Sequence, residues 1–193
     1  MIDKRNEPFN YKFHGHFDIS SIANHLETYF SEWFINQSRQ NMGPVHKETT
    51  SVFLYDHPAM WSIKEPFKPT INYDQKEMHE LIAPIINVLE QKHEGKVGKC
   101  LFIKLPAGKS ILPHTDKLDY LGVVRRHHIA ITTNDQVFFS VDNELKNMKI
   151  GECWEINNSK EHAVNNNGKT DRIHLLVDIM PNRFIKNDFI SKA

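Results

Sequence analysis

The residues best suited to chemistry lie in Leu112-Pro113-His114-Thr115-Asp116, read together with His162 and Arg172 further on. His114, Asp116 and His162 supply two imidazoles and one carboxylate. That donor set takes three positions of an octahedral iron(II) ion and leaves the other three open. At positions i and i+2 of an extended segment, His114 and Asp116 point to the same face. Arg172 opens an apolar run in which Arg172, His174, Leu176 and Asp178 alternate with Ile173, Leu175 and Val177. A guanidinium turned into an apolar interior is costly unless an anion meets it. A carboxylate is the natural bidentate partner, either from a dicarboxylic co-substrate or from an internal Asp or Glu. Together these residues suit a non-haem iron(II) centre that uses 2-oxoglutarate.

No single part of this set is specific. With 12 histidines in the chain, a His-x-Asp triplet arises by chance, and His16-Phe17-Asp18 is a second one. It has no later His on a matching strand pattern, and Asp18 precedes Ser20 where a helix should start, so capping suits it better. In Arg125-Arg126-His127-His128 the period separates two faces. Arg126, His128, Ala130 and Thr132 share one, and His127, Ile129 and Ile131 share the other. Arg126 and His128 are expected to enter the interior as a second anion-binding pair, with Arg125 and His127 at the rim. Substrate contacts are expected from the first half and from residues 117–125, with Arg39, His46, Tyr55, Trp61 and Tyr120 as candidates.

The elements that must position these groups fall in two blocks. Phe9, Tyr11, Phe13 and Phe17 hint at a short edge strand, and residues 21–35 then carry apolar positions at helical spacing. Thr49 to Tyr55 reads as a strand. Residues 59–73 read as loop. Asp74 with Glu77 resembles a capping box, and Met78, Leu81, Ile82, Ile85 and Leu89 form a second helical stripe that Pro84 should kink or restart. Gly95 and Gly98 close this block. From Lys99 onward the chain consists of strand-length runs separated by Asn- and Asp-rich turns: 100–105, 111–116, 126–132, 137–141, 152–156, 162–165 and 172–180. The Asn-rich stretch 165–167 reads simply as a turn. The expected fold class is mainly β with helices (α+β), a double-stranded β-helix or jelly-roll (cupin-like) core braced by N-terminal helices. A single domain, 1–193, is expected, with 1–98 as helical and strand support, 99–181 as catalytic core and 182–193 as tail.

The composition narrows the class. The chain has 193 residues, 39% hydrophobic and 25% charged, with Lys plus Arg and Asp plus Glu both at 24. Zero net charge argues against a coat for nucleic acid or anionic membrane. Cys100 and Cys153 sit inside apolar runs and read as buried free thiols of a reducing cytosol. The N-terminus shows no apolar signal core and no stretch reaches membrane length, so a cytoplasmic protein is expected.

Read together, Pro113-His114-Thr115-Asp116, Arg126 to Ile131, Gly151-Glu152-Cys153-Trp154, Glu161-His162-Ala163-Val164 and Arg172 to Asp178 resemble the aspartyl/asparaginyl β-hydroxylase family. Their order and spacing look closest to its bacterial L-proline cis-hydroxylase branch. The resemblance covers about residues 99–181. It implies an iron(II)/2-oxoglutarate dioxygenase that uses O2 to hydroxylate an unactivated C–H of an amino acid, releasing succinate and CO2. The substrate would be free, such as L-proline, or an Asp/Asn-type side chain in a peptide. It further implies that His114, Asp116 and His162 hold the metal, that Arg172 grips the distal carboxylate of 2-oxoglutarate, and that Arg126 and His128 lie near its metal-side carboxylate. In the animal branch Gly replaces the Asp of the triad, so Asp116 places this chain nearer the proline hydroxylases. Two other readings stay open: a metal-dependent cupin isomerase or hydrolase, and a non-enzymatic jelly-roll binding module.

Overall fold

The alternating runs of the second half form two antiparallel sheets. The computed structural model describes residues 7–28, 38–41, 43–56, 68–69, 76–116 and 119–185. The strands are β1 (Tyr11–His16), β2 (Thr50–Asp56), β3 (Lys68–Pro69), β4 (Gly95–Leu105), β5 (Ser110–His114), β6 (Arg125–Thr132), β7 (Val137–Val141), β8 (Glu144–Lys146), β9 (Glu152–Ile156), β10 (His162–Asn166) and β11 (Arg172–Pro181). The helices are α1 (Ser20–Thr28), α2 (Ser38–Asn41), α3 (Lys76–His93) and α4 (Asp119–Val123). The larger sheet has seven strands in the order β1-β9-β6-β11-β4-β2-β3, and the smaller has four in the order β5-β10-β7-β8. This is the jelly-roll that the strand pattern calls for, with the helices on one sheet.

The two periodicities of the sequence fill two layers. Ile22 and Leu26 of α1 and Met78, Ile82, Ile85 and Leu89 of α3 pack on Ile129, Ile131, Ile173, Leu175 and Val177. Leu105, Ile111, Ala130, Val137, Phe139, Val141 and Val164 fill the space between the sheets. Central strands β6 and β11 are therefore covered on both faces, and every residue of β11 is buried. Burying each large aliphatic side chain contributes about 1.5–3 kcal/mol, so the helical layer is a main source of stability.

Several expectations change. β4 begins at Gly95, so Gly95 and Gly98 lie inside a strand. At Gly98 the cause is steric: a Cβ would collide with the Tyr120 hydroxyl. Pro84 neither ends nor restarts α3, which runs for 18 residues. It lies on the exposed side, where water can satisfy the carbonyl it deprives. The short elements β8 and α4 were missed because three to five residues carry too little periodicity. The expected helix over 21–35 is described only to Thr28, and Asp74 and most of 59–73 lie outside the described residues. Cys100 and Cys153 are buried free thiols, and burial raises both, Cys153 to about 12. Among the described residues no helix is long and apolar enough to cross a membrane.

Candidate active site

His114 closes β5 and His162 opens β10, and the two are register partners across the smaller sheet. Their ring centroids are 4.2 Å apart. Asp116 follows just past β5, held by its backbone N–H to the Asn158 carbonyl at 3.0 Å. One donor atom from each of the three lies within 4.8 Å of the others. The His114 Nδ1 stands 2.7 Å from the Leu112 carbonyl and the His162 Nδ1 3.0 Å from the Lys160 carbonyl. A carbonyl only accepts, so each Nδ1 carries the proton and each Nε2 offers a lone pair. Burial pushes His162 down to about 4, which keeps it neutral near pH 7. Burial alone would raise the Asp116 carboxyl. The Arg126 charge, with His162 and the Asn158 amide, outweighs burial and holds it at about 2. Two imidazole lone pairs and an ionised carboxylate could hold a divalent metal.

Arg126 corrects an expectation. It does not wait for an outside anion. Its Nη1 donates to Asp116 Oδ2 at 2.6 Å, and its Nε and Nη2 donate to the two oxygens of Asp178, both at 2.8 Å. Asp178 is its register partner on β11 and is fully buried. Tyr120 donates to Asp178 at 3.2 Å and accepts the Lys99 N–H at 2.8 Å. Tyr120 is itself fully buried, so it braces this chain of groups and is closed to substrate. The sequence showed which residues shared a face, but not that two carboxylates would converge on one guanidinium.

Arg172 is the opposite case. It is 1% exposed, at the start of β11. Its Nε, Nη1 and Nη2 find no hydrogen-bond partner among the described residues. The Phe139 ring lies 5.9 Å away. Burial, and then Arg39, lower its pKa to about 9. His128 and His174 lie beside it, and burial with the Arg172 charge keeps both neutral. His128 Nδ1 and both nitrogens of His174 likewise lack partners. Arg172, His128, His114 and His162 line one cavity, with Ile111, Phe139, Val164 and Leu176 as apolar wall.

The family model for aspartyl/asparaginyl β-hydroxylase matches residues 22–181. The chain belongs to that family. A 110-residue stretch is 26% identical to an L-proline cis-4-hydroxylase of Rhizobium meliloti (strain 1021). The match takes in 54% of this chain but spans only 39% of that relative's length. Two solved structures share the fold at low identity. One is a 2OG-Fe(II) oxygenase family protein from Burkholderia pseudomallei, with TM-score 0.58 and 10% identity over 89% of this chain and 84% of that one. The other is a prolyl hydroxylase from Trichoplax adhaerens in complex with a hypoxia inducible factor peptide fragment, with TM-score 0.61 and 13% identity over 95% and 88%.

The remaining candidates divide in this β-hydroxylase-family chain. α2 and the turn Pro44–His46 bring Arg39 and His46 to the cavity, where Arg39 Nη2 stands 3.0 Å from His46 Nδ1. Their seat is fixed by Gln40 Nε2 donating to the Thr49 carbonyl. Tyr55 packs against the helix-side core, and Trp61 lies outside the described residues. His127 is not at the rim. It is fully buried on the helix side, while Arg125 pairs with Glu7 and Glu155. Asp18 accepts the Ser20 N–H at 3.0 Å, a capping contact, and His16 is exposed. Asn158 was not anticipated, yet its amide holds Asp116 at 2.9 Å and the Leu121 carbonyl at 2.9 Å. Asn166 also exceeds a simple turn. Fully buried, it donates to the Leu105, Pro106 and Thr170 carbonyls.

Proposed function

We propose that this chain is an iron(II)- and 2-oxoglutarate-dependent dioxygenase that hydroxylates an amino acid, free or within a peptide. The carrying observation is Arg172, a fully buried guanidinium with no partner among the described residues. Leaving such a charge unanswered costs several kcal/mol, and a carboxylate fits its fork. It would take the distal carboxylate of 2-oxoglutarate, in a cavity that His128 and Phe139 also line. His114 and His162 would hold iron through Nε2, and Asp116 would hold it through a carboxylate oxygen. Iron(II) and 2-oxoglutarate together supply dioxygen activation for insertion into an unactivated C–H bond, with succinate and CO2 as co-products. Arg126, clamped by Asp178, keeps Asp116 ionised and aimed. Ile111, Val164 and Leu176 keep water from the walls.

Charge supports an anionic group on the substrate. Among the described residues, the cavity gathers Arg39, Arg126 and Arg172 against Asp116 and Asp178. A divalent ion and a dianionic co-substrate cancel each other, so one positive charge remains. Arg39, held by His46, is placed to meet a substrate carboxylate. The L-proline cis-4-hydroxylase relative makes L-proline the first amino acid to try. A cytoplasmic setting fits buried free thiols.

The test is anaerobic titration of the metal-free protein with iron(II) and then 2-oxoglutarate. The expected result is a weak visible charge-transfer band that is lost in His114→Ala and needs more 2-oxoglutarate in Arg172→Ala. A screen of amino acids for succinate release then names the substrate. Iron binding without the band would move the reading to a cupin isomerase or hydrolase. No metal binding at the triad would overturn it.

A further inference from the structure

A second group of ligand side chains lies on the other face of the larger sheet. His14 comes from β1, His93 from the end of α3, His127 from β6 and Glu155 from β9. One donor atom from each lies within 4.8 Å of the rest. In a tetrahedral site with metal–nitrogen bonds of about 2.0–2.1 Å, neighbouring donors stand about 3.3 Å apart. Here His93 Nε2 lies 2.9 Å from His127 Nε2, and His14 Nε2 lies 3.0 Å from Glu155 Oε2. The three imidazole centroids form a triangle with sides of 4.7, 5.0 and 5.1 Å.

The tautomers point the same way. His127 Nδ1 faces the Val177 carbonyl at 3.2 Å, so it carries the proton and Nε2 is left as a lone pair. That lone pair faces another imidazole nitrogen. Burial drives His127 well below its ordinary range and His93 to about 4, so both are neutral, the form that binds metal. His14 Nδ1 is buried without a hydrogen-bond partner among the described residues. The His14 and Glu155 side chains are both 1% exposed, while His93 is less buried and gives a route in. Arg125 touches Glu155 Oε1 at 3.2 Å but lies nearer Glu7 at 2.7 Å, so it has a counter-charge of its own. Lys92 is the other cation felt at His93.

We propose that His14, His93, His127 and Glu155 bind a zinc-class divalent cation in a site distinct from the His114–Asp116–His162 triad. Three imidazoles and one carboxylate suit zinc better than magnesium or calcium. Four protein ligands leave no open position, so the ion is structural. It ties edge strand β1, whose register with β9 breaks between Phe13 and His16, and the end of α3 to the sheet.

The test uses full-length protein stripped with chelator, alongside a His114→Ala/His162→Ala variant whose second cluster is intact. Each is titrated with zinc chloride and with cobalt(II), and Tm is followed. The double variant is expected to bind one equivalent of zinc, to gain Tm, and to give the strong visible absorption of tetrahedral cobalt. Placed in the double variant, His93→Ala and the milder His93→Gln should bind that equivalent at least roughly 100-fold more weakly, since losing an outer partner of a ligand alone costs about 10–100-fold. Failure of the double variant to bind zinc would overturn the proposal, whether or not the His93 variants fold. So would an equivalent that both His93 variants leave unchanged. The triad reading fails separately, by wild type binding one equivalent that the double variant keeps.

Discussion

Arg126 and Arg172 show how one residue type can take opposite roles. Both lie on central strands and both are buried. Arg126 is answered by two carboxylates of its own chain, whereas Arg172 has no partner among the described residues. The first is therefore part of the scaffold that aims Asp116, and the proposed function gives the second to a ligand. Replacing a buried unpaired cation by an apolar residue of similar volume should stabilise the ligand-free protein. Arg172→Met is expected to raise stability by about 1–4 kcal/mol in urea unfolding. The same variant should raise the 2-oxoglutarate KM roughly 100-fold, the loss of charge-assisted hydrogen bonds, with iron affinity unchanged. A drop in stability together with an unchanged KM would show that Arg172 has a hidden internal partner.

At the scale of elements, β4, α4, β6 and β11 are linked through Tyr120. Its hydroxyl fills the space above Gly98, accepts the Lys99 N–H and donates to Asp178, which clamps Arg126 against Asp116. A methyl at position 98 cannot coexist with that hydroxyl. Gly98→Ala is expected to destabilise by about 1–3 kcal/mol through overpacking and to weaken iron binding through Asp116. Tyr120→Phe removes only the hydroxyl and should cost about 1–2 kcal/mol. Thermal melts of the two variants, with iron titrations beside them, check this linkage. If Gly98→Ala melts like wild type, Tyr120 is not wedged against β4.

Across the whole molecule, the interior stores neutral histidines, and this sets an acid limit. Burial, and then the Arg172 charge, lower His128 and His174 well below their ordinary value. Above about pH 6.5 both are neutral in the folded and unfolded chain and contribute no pH dependence. As pH falls below that value, the unfolded chain takes up protons that the folded one refuses, so stability is lost. Each group contributes a slope approaching 1.4 kcal/mol per pH unit, about 3 kcal/mol for the pair between pH 7.5 and 5.5. Asp116, held at about 2, loses its contribution only at much lower pH and leaves this window untouched. Tm of the metal-free protein should fall across the window, and His174→Leu should remove only one histidine's share, about 1.4 kcal/mol, because His46, His93, His127 and His162 are lowered in the same way. A flat profile would mean that water reaches these rings.

The local periods, and through them most of the fold, are written in the order of the residues. Period two after Lys99 made strands, and the stripe Met78 to Leu89 made a helix that lies on a sheet. The convergence of His114, Asp116 and His162, with Arg172 on the same cavity, was also legible, because alternation told which side chains share a face and the spacing allowed a return strand. Neighbours across the fold were not legible. Nothing in the order of residues says that Asp178 and Asp116 close on Arg126, that Tyr120 sits over Gly98, or that His127 turns away from the rim to meet His14, His93 and Glu155. Such contacts depend on strand order, register and the seating of a helix, which long-range packing chooses among many arrangements with the same local pattern. Periodicity limits what each residue can face, and long-range packing selects what faces it.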